Sequence, residues 1–393
     1  VTVASLSPFS LYIHIPFCMR KCPYCDFATE ASKAIPEDLY LNAILSELSY
    51  YINQSEWCDR LITTIFFGGG TPSLLSFQGI ERVLQSIYNL WNIASDVEIT
   101  LEANPETVDK TKAQDWKSIG INRVSLGVQS FSERHLNQLG RHHSPKQSKY
   151  AIEYLIESNI TNVSLDLIYG LPSQTTNELM ADLNTARSLC ITHLSAYSLT
   201  IEQGTPLASH VFNKTVIPLD DDIVAEQFDL ISTIFSTTPW YRYEVSNFAT
   251  PNYESRHNRA YWEGKDYLGI GAGAHSYVKG YPSKRWANVR LWEPYVKRVN
   301  TNVTPVAWKE TLSLEREIEE FLLLRLRLTD GANHSDFKSQ FNFDIEQYFP
   351  GVLNELKQNN LINDDGQRFA TTSKGMKLLD SVIEKFVAEF KPN

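Results

Sequence analysis

Cys18, Cys22 and Cys25 stand within eight residues of one another, at the end of an apolar run that begins at Leu11. A thiolate is a soft ligand, and three at this spacing can converge on one metal centre. Four thiolates close a structural zinc site or an iron–sulfur cluster, whereas three leave one iron of a cubane open to a further ligand. The only other cysteines are Cys58 and Cys190. An odd total, with no basic-then-apolar leader ahead of it, speaks against a disulfide framework. An open iron–sulfur cluster is therefore the leading reading. A Cys3His zinc site that recruits His14 is the alternative.

Gly68-Gly-Gly-Thr-Pro72 follows an apolar, β-branched run. It has neither the spacing of a dinucleotide fingerprint nor the lysine of a phosphate loop. Glycines placed directly after a strand let backbone groups approach a ligand with no Cβ in the way. Taken alone, the motif is equally a tight turn. Beside an open iron it becomes a cradle for the amino group of an amino-acid-like ligand. Glu102 is suited to accept a ribose hydroxyl, and Arg141 to pair with a carboxylate.

Such residues need a scaffold that brings them together. Apolar runs at 11–15, 61–67, 97–101, 122–128, 163–168 and 193–199 read as strands. Between them lie helical spacings: one opened by Pro36, one running from Ile80 to Trp91, one capped by Ser144 with Pro145 in its first turn, and one over 175–189. This alternation predicts a parallel sheet with right-handed crossovers, as an incomplete barrel or an open α/β sheet. Function in such folds gathers at the carboxyl ends of the strands. Here those ends carry the cysteine loop, the triple glycine, Glu102, Gln129 and Asp166, a series that predicts one shared pocket.

The pattern weakens after residue 220, where a helix over 220–235 and a strand over 241–245 are expected. Past Pro305 come charged helices such as 314–328, a helix near 349–359, a hairpin at Asp364-Asp-Gly366 and a closing helix from Ser373. The reading is two domains, 1–304 and 305–393, the second winged-helix-like. A chain of 393 residues, 42% hydrophobic, can bury cores of that size. The net charge of −10 argues against a nucleic-acid binder or a protein held on anionic lipid. Residues 305–393 hold eleven lysines and arginines against fifteen aspartates and glutamates, the wrong sign for a phosphate surface. No apolar run approaches the ~18 residues of a membrane span. The first eight residues do not read as a signal peptide, so a reducing cytoplasm is expected.

The cysteine spacing with Tyr24 inside it, together with Gly68-Gly-Gly-Thr-Pro72, resembles radical S-adenosylmethionine proteins. Tyr12-Ile-His-Ile-Pro-Phe-Cys18, Glu102-Ala-Asn-Pro105, Leu126-Gly-Val-Gln-Ser-Phe131, Leu139-Gly-Arg141 and Asp166-Leu-Ile-Tyr-Gly-Leu-Pro172 resemble the oxygen-independent coproporphyrinogen III oxidase group. The likeness covers nearly the whole chain. It implies a partial parallel (β/α)6-type barrel with a smaller C-terminal α+β, winged-helix-like domain. It also implies a [4Fe–4S] cluster on Cys18, Cys22 and Cys25, with S-adenosylmethionine chelating the open iron. An electron passed into the sulfonium would release methionine and a 5′-deoxyadenosyl radical. By position, Tyr12, Tyr24, Gly69, Gly70, Thr71, Glu102, Gln129, Arg141 and Asp166 match residues that bind S-adenosylmethionine in this group, some of them serving a second molecule in the true oxidases.

Two positions separate the branches of the group. True oxidases carry a further cysteine two residues after the third, where this chain has Phe27. In addition, His257-Asn-Arg-Ala-Tyr-Trp262 resembles the haem-binding signature of the HemW, or haem-chaperone, branch. That resemblance implies His257 as an axial iron ligand, Tyr261 and Trp262 as faces for a porphyrin, and Arg256 or Arg259 as partners for propionates. No Cys-x-x-Cys-His is present, so covalent haem attachment is not expected. The expected function is a cytoplasmic haem carrier that serves haem-requiring apoproteins, respiratory enzymes at the membrane among them; a homodimer is one open assembly. Two alternatives stay open: a coproporphyrinogen III dehydrogenase, and a haem-storage or adaptor protein that never engages S-adenosylmethionine. Roles for His14, His142, His143 and His275 are open as well.

Overall fold

The alternating strands and helices assemble into one large sheet in the computed structural model, which describes residues 6–389. Strands β1 (Pro8–Ile15), β2 (Leu61–Gly69), β3 (Asn92–Ala103), β4 (Arg123–Gln129), β5 (Asn162–Tyr169) and β6 (His193–Ser198) lie side by side in chain order, all parallel. Between them run helices α1 (Glu37–Tyr51), α2 (Phe77–Leu90), α3 (Lys110–Ser118), α4 (Glu133–Gln138), α5 (Pro145–Glu157) and α6 (Thr176–Ser188). The starts of α5 and α6 are set by capping boxes, Ser144 with Gln147 and Thr175 with Glu178. The sequence reading did not anticipate α3 and α4. Helix α3 buries only Ala113 and Trp116, too few apolar positions to show a period.

Leu11, Ile13 and Ile15 of β1 are fully buried, as are Val124, Leu126 and Val128 of β4. Each such side chain contributes about 1.5–3 kcal/mol by leaving water, which is what holds the strands between their helices. After β6 come α7 (Pro206–Phe212) and α8 (Asp221–Phe235), then β7 (Tyr241–Arg242) and β8 (Asn247–Ala249); β8 pairs antiparallel with β6, and β7 pairs antiparallel with β8 to complete that edge of the sheet. The strand expected over 241–245 ends at Arg242. Beyond it the backbone turns to the C-terminal region, where Val245 N–H donates to the Arg327 carbonyl at 3.1 Å.

Helix α9 (Arg256–Trp262) leads to β9 (Tyr267–Ile270), which joins β1 in parallel on the opposite side. Strands β10 (His275–Val278), β11 (Lys284–Asn288) and, after helix α10 (Trp292–Asn300), β12 (Val306–Thr311) extend the sheet antiparallel. The order across the twelve strands is β12-β11-β10-β9-β1-β2-β3-β4-β5-β6-β8-β7. The fold is thus mixed α/β with a mostly parallel sheet, and no strand pairing among the described residues joins its two edges into a closed barrel. Strand β12 lies past residue 304 and still belongs to the large sheet.

From α11 (Leu314–Arg325) onward the chain forms a second apolar cluster around Ile318, Phe337, Phe349 and Phe386. A three-stranded antiparallel sheet accompanies it, made of β13 (Ala332–Asn333), β14 (Ile362–Asp364) and β15 (Arg368–Thr371), with β15 central. The expected hairpin is β14–β15. No helix among the described residues is long and apolar enough to cross a membrane. The reading of the N-terminus as no signal peptide falls partly on residues 1–5, which lie outside the described residues.

Candidate cofactor site at the strand ends

The three cysteines, the nine residues matched to S-adenosylmethionine binding and His257 all line one cavity of about 600 Å³ at the carboxyl ends of the parallel strands. Strand β1 supplies Tyr12 and runs into the cysteine loop, which is closed by a short parallel pairing of Phe17–Cys18 with Glu30–Ala31. Strands β2, β3, β4 and β5 deliver Gly69, Glu102, Gln129 and Asp166. Gln129 ends its strand in the left-handed region at φ 66°, which costs a side-chain-bearing residue about 1 kcal/mol or more.

The three cysteines are half-buried free thiols. Thr71 Oγ1 donates to Cys18 Sγ at 3.6 Å, and Arg141 Nη1 to Cys22 Sγ at 3.7 Å. The guanidinium of Arg141 is fixed by Nη2, which donates to the Gly127 carbonyl at 2.8 Å and to Asn104 Oδ1, while its buried Nε has no partner. Burial pushes the Cys18 and Cys25 thiols above their ordinary pKa. Donors aimed at sulfur, beside a fixed cation, suit thiolates that have exchanged their protons for iron. These residues therefore fit a cluster with one open iron.

A single-ion site fits less well. Among the described residues no three His, Cys, Asp or Glu side chains are placed to hold one ion. A cubane does not require that convergence, since each thiolate binds a different iron. His14 is held away from the cysteines, with Nδ1 3.1 Å from the Tyr12 hydroxyl and Nε2 2.9 Å from the Ala28 carbonyl. The zinc alternative is left without its fourth ligand.

The triple glycine is demanded by close approach. Gly69 has φ +108°, and a Cβ there would overlap the His14 ring. A Cβ on Gly70 would lie 2.6 Å from the Phe17 carbonyl oxygen. The Gly69 N–H donates to Glu102 Oε2 at 3.0 Å. Burial, and then the nearby Asp166, raise the Glu102 carboxyl to about 8. A carboxyl raised in this way can, when protonated, donate to a ligand as well as accept. Burial also raises Asp166, whose two oxygens each lie 3.2 Å from Ser125 Oγ. Sequence reasoning missed Asn104, Ser125 and the buried Arg123, which share this lining. The available signal was a lone arginine opening an otherwise apolar strand.

His257 faces the same cavity from α9 and is buried. Its Nδ1 lies 2.7 Å from Thr64 Oγ1 and its Nε2 2.8 Å from the Tyr261 hydroxyl, so both ring nitrogens are engaged. The ring stacks on Phe66 with centroids 4.9 Å apart, and burial lowers its pKa to about 3. Arg256 pairs with Asp96, and Arg259 with Glu263 and Asp330; neither lines the cavity. Beyond Tyr12, Gly69 and Glu102 opens a second chamber of about 910 Å³, floored by the antiparallel extension β9–β12. The two spaces share Phe27, Tyr261 and Trp262 as a common wall.

Comparison with known proteins agrees with this layout. The pattern of the Radical SAM superfamily matches residues 12–186, and that of the HemN C-terminal domain matches residues 312–378. The chain is 36% identical to the protein named heme chaperone HemW of Escherichia coli K12, over 98% of this chain and 100% of that one. It is 34% identical to heme chaperone HemW of Bacillus subtilis, over 97% of this chain and 99% of the relative. Among solved structures, Escherichia coli coproporphyrinogen III oxidase (HemN), described as a radical SAM enzyme, superposes with a TM-score of 0.82 at 21% identity. That superposition covers 97% of this chain and 90% of HemN, and it shows a shared fold. The cysteine loop, the strand-end series and full-length relatedness lead to one conclusion: the chain belongs to the radical S-adenosylmethionine superfamily and, within it, to the HemW family.

Proposed function

We propose that the protein is a haem carrier of the cytoplasm that binds a [4Fe–4S] cluster and S-adenosylmethionine and passes haem to haem-requiring apoproteins, respiratory enzymes among them. One observation carries the reading: the cysteine-lined cavity and a larger aromatic chamber adjoin, with Phe27, Tyr261 and Trp262 between them. A nucleoside-sized site and a porphyrin-sized site, within the 300–1,000 Å³ or so of ligand pockets, thus share a wall. At Phe27 the true oxidases would have a further cysteine; here that position presents a phenyl group to both spaces.

Cys18, Cys22 and Cys25 would hold the cluster, with Thr71 and Arg141 stabilising charge on sulfur. The cluster, when bound, supplies the electron for cleavage of the sulfonium. Gly69 and Gly70 leave room at the loop for the ligand's amino group. Arg141 meets a carboxylate, Glu102 a ribose hydroxyl, and Tyr12, Tyr24, Gln129 and Asp166 complete the polar lining. Names of relatives, full-length identity and the fit of these side chains support this reading.

Two measurements decide it. Anaerobic reconstitution should give about four irons per chain. Haem-loaded protein should pass haem to an apo-acceptor while producing no vinyl product from coproporphyrinogen with S-adenosylmethionine and reductant. Robust decarboxylation would replace the carrier reading with that of a dehydrogenase.

A further inference from the structure

The aromatic chamber is built by strand alternation. Ser276 is buried, and its Oγ accepts from Gly269 N–H at 2.9 Å, so its neighbours His275 and Tyr277 face the other way. Register places Tyr277 across from Tyr267 on one side and Arg285 on the other; His275 lies across from Ala287, and Ala287 across from Trp308. The small Ala287 thus leaves a pit beneath His275 and Trp308, whose rings meet edge-on with centroids 5.8 Å apart. The mouth is apolar and open: Phe27 is 62% exposed, Trp308 43% and Leu323 38%. Such a patch on a soluble face marks a binding site more often than chance exposure.

Among the described residues lining this chamber, one imidazole is uncommitted. Tyr261 stands between His257 and this chamber and occupies His257 Nε2. His14 has both nitrogens bonded. His275 has neither nitrogen in a hydrogen bond to any described residue, and it is exposed in the chamber. Among the cations lining the chamber, Arg285 is held by Glu310 and Glu320 and Lys265 by Glu263, whereas Arg290, among the described residues, donates only to the Asp26 carbonyl.

We infer that haem docks in the β9–β12 chamber with His275 as its axial iron ligand and Arg290 paired to a propionate, while His257 stays outside iron coordination. The inference rests on the carrier reading above and names the site for its cargo. Partial burial, with Arg285 and Arg290 nearby, holds the His275 pKa below the usual histidine range, so its lone pair is available. The step is a simple coordination: the neutral imidazole donates one lone pair to iron, and no electron or proton leaves the pair. Tyr277 and Trp308 offer faces to the macrocycle.

The test titrates hemin into the full chain and into H275A, H257A and R290Q, followed by Soret and visible spectra, with iron-free protoporphyrin IX as a parallel probe. H275A should lose the wild-type ligand signature and weaken hemin binding about tenfold or more, with the signature restored by added imidazole. It should bind protoporphyrin IX as wild type does, which separates ligand loss from misfolding. R290Q should weaken both porphyrins and keep the hemin spectrum. An unchanged hemin spectrum in H275A, or its loss in H257A alone, would overturn the assignment and leave the carrier reading standing. Failure of the wild-type chain to bind hemin would overturn both.

Discussion

His257 illustrates how a residue's chemistry is set by what its two ring atoms touch. With Thr64 on Nδ1 and Tyr261 on Nε2, the imidazole pins α9 to the middle of β2. His257→Ala would leave two hydroxyls buried without partners, each costing about 1–3 kcal/mol. A urea midpoint should register that loss, while the hemin spectrum should stay that of wild type. Gly70 makes a comparable point for the backbone. Gly70→Ala would drive a methyl group against the Phe17 carbonyl and displace the residue next to Cys18. Iron content after reconstitution should fall well below that of wild type, with far-ultraviolet circular dichroism unchanged; full iron loading would show that the loop tolerates the shift.

Helix α1 is tied to the antiparallel extension through one buried carboxyl. Glu47 accepts from Gly271 N–H at 2.9 Å, from Asn288 Nδ2 at 2.7 Å and from the Tyr295 hydroxyl at 2.6 Å. Burial outweighs these donors and raises its pKa from 4.5 to about 7. Between those values the folded state binds more protons than the unfolded chain, so stability falls as pH rises through this window and levels off above it. Glu47→Gln should abolish that part of the slope. Urea titrations on either side of the window, for both proteins, test the claim; an identical slope in the variant would assign the dependence to other groups. The elements themselves were well marked in the sequence wherever periodicity spanned several turns, as in α2 with Ile80, Val83, Leu84 and Ile87. They were poorly marked where two residues carry the packing, as in α3, or where a strand yields to a long-range contact, as beyond Arg242.

At the scale of the whole molecule, shape and charge point in different directions. The C-terminal helices and the β14–β15 hairpin read from sequence as winged-helix-like, an arrangement often used on nucleic acid, yet residues 305–393 are net acidic and the chain carries −10. Phosphate binding draws most of its affinity from released counterions, which this surface does not provide. Fluorescence anisotropy with labelled duplex DNA at physiological salt should show no binding. Saturable binding there would mean that a local basic surface outweighs the total charge.

The chemistry of the cluster loop was legible from residues alone, because ligand type and spacing are local properties. The strand-end rule likewise gathered Glu102, Gln129 and Asp166 from apolar runs and their termini. What the sequence could not state is who faces whom across long separations. Thr64 meets His257 over 193 positions, and β9 finds β1 across most of the chain. Those contacts engage both ring nitrogens of the signature histidine. They also line up Ala287 between His275 and Trp308 to open a pit. Both outcomes depend on register and on competition for hydrogen-bond partners, which are decided only when the whole sheet closes its core.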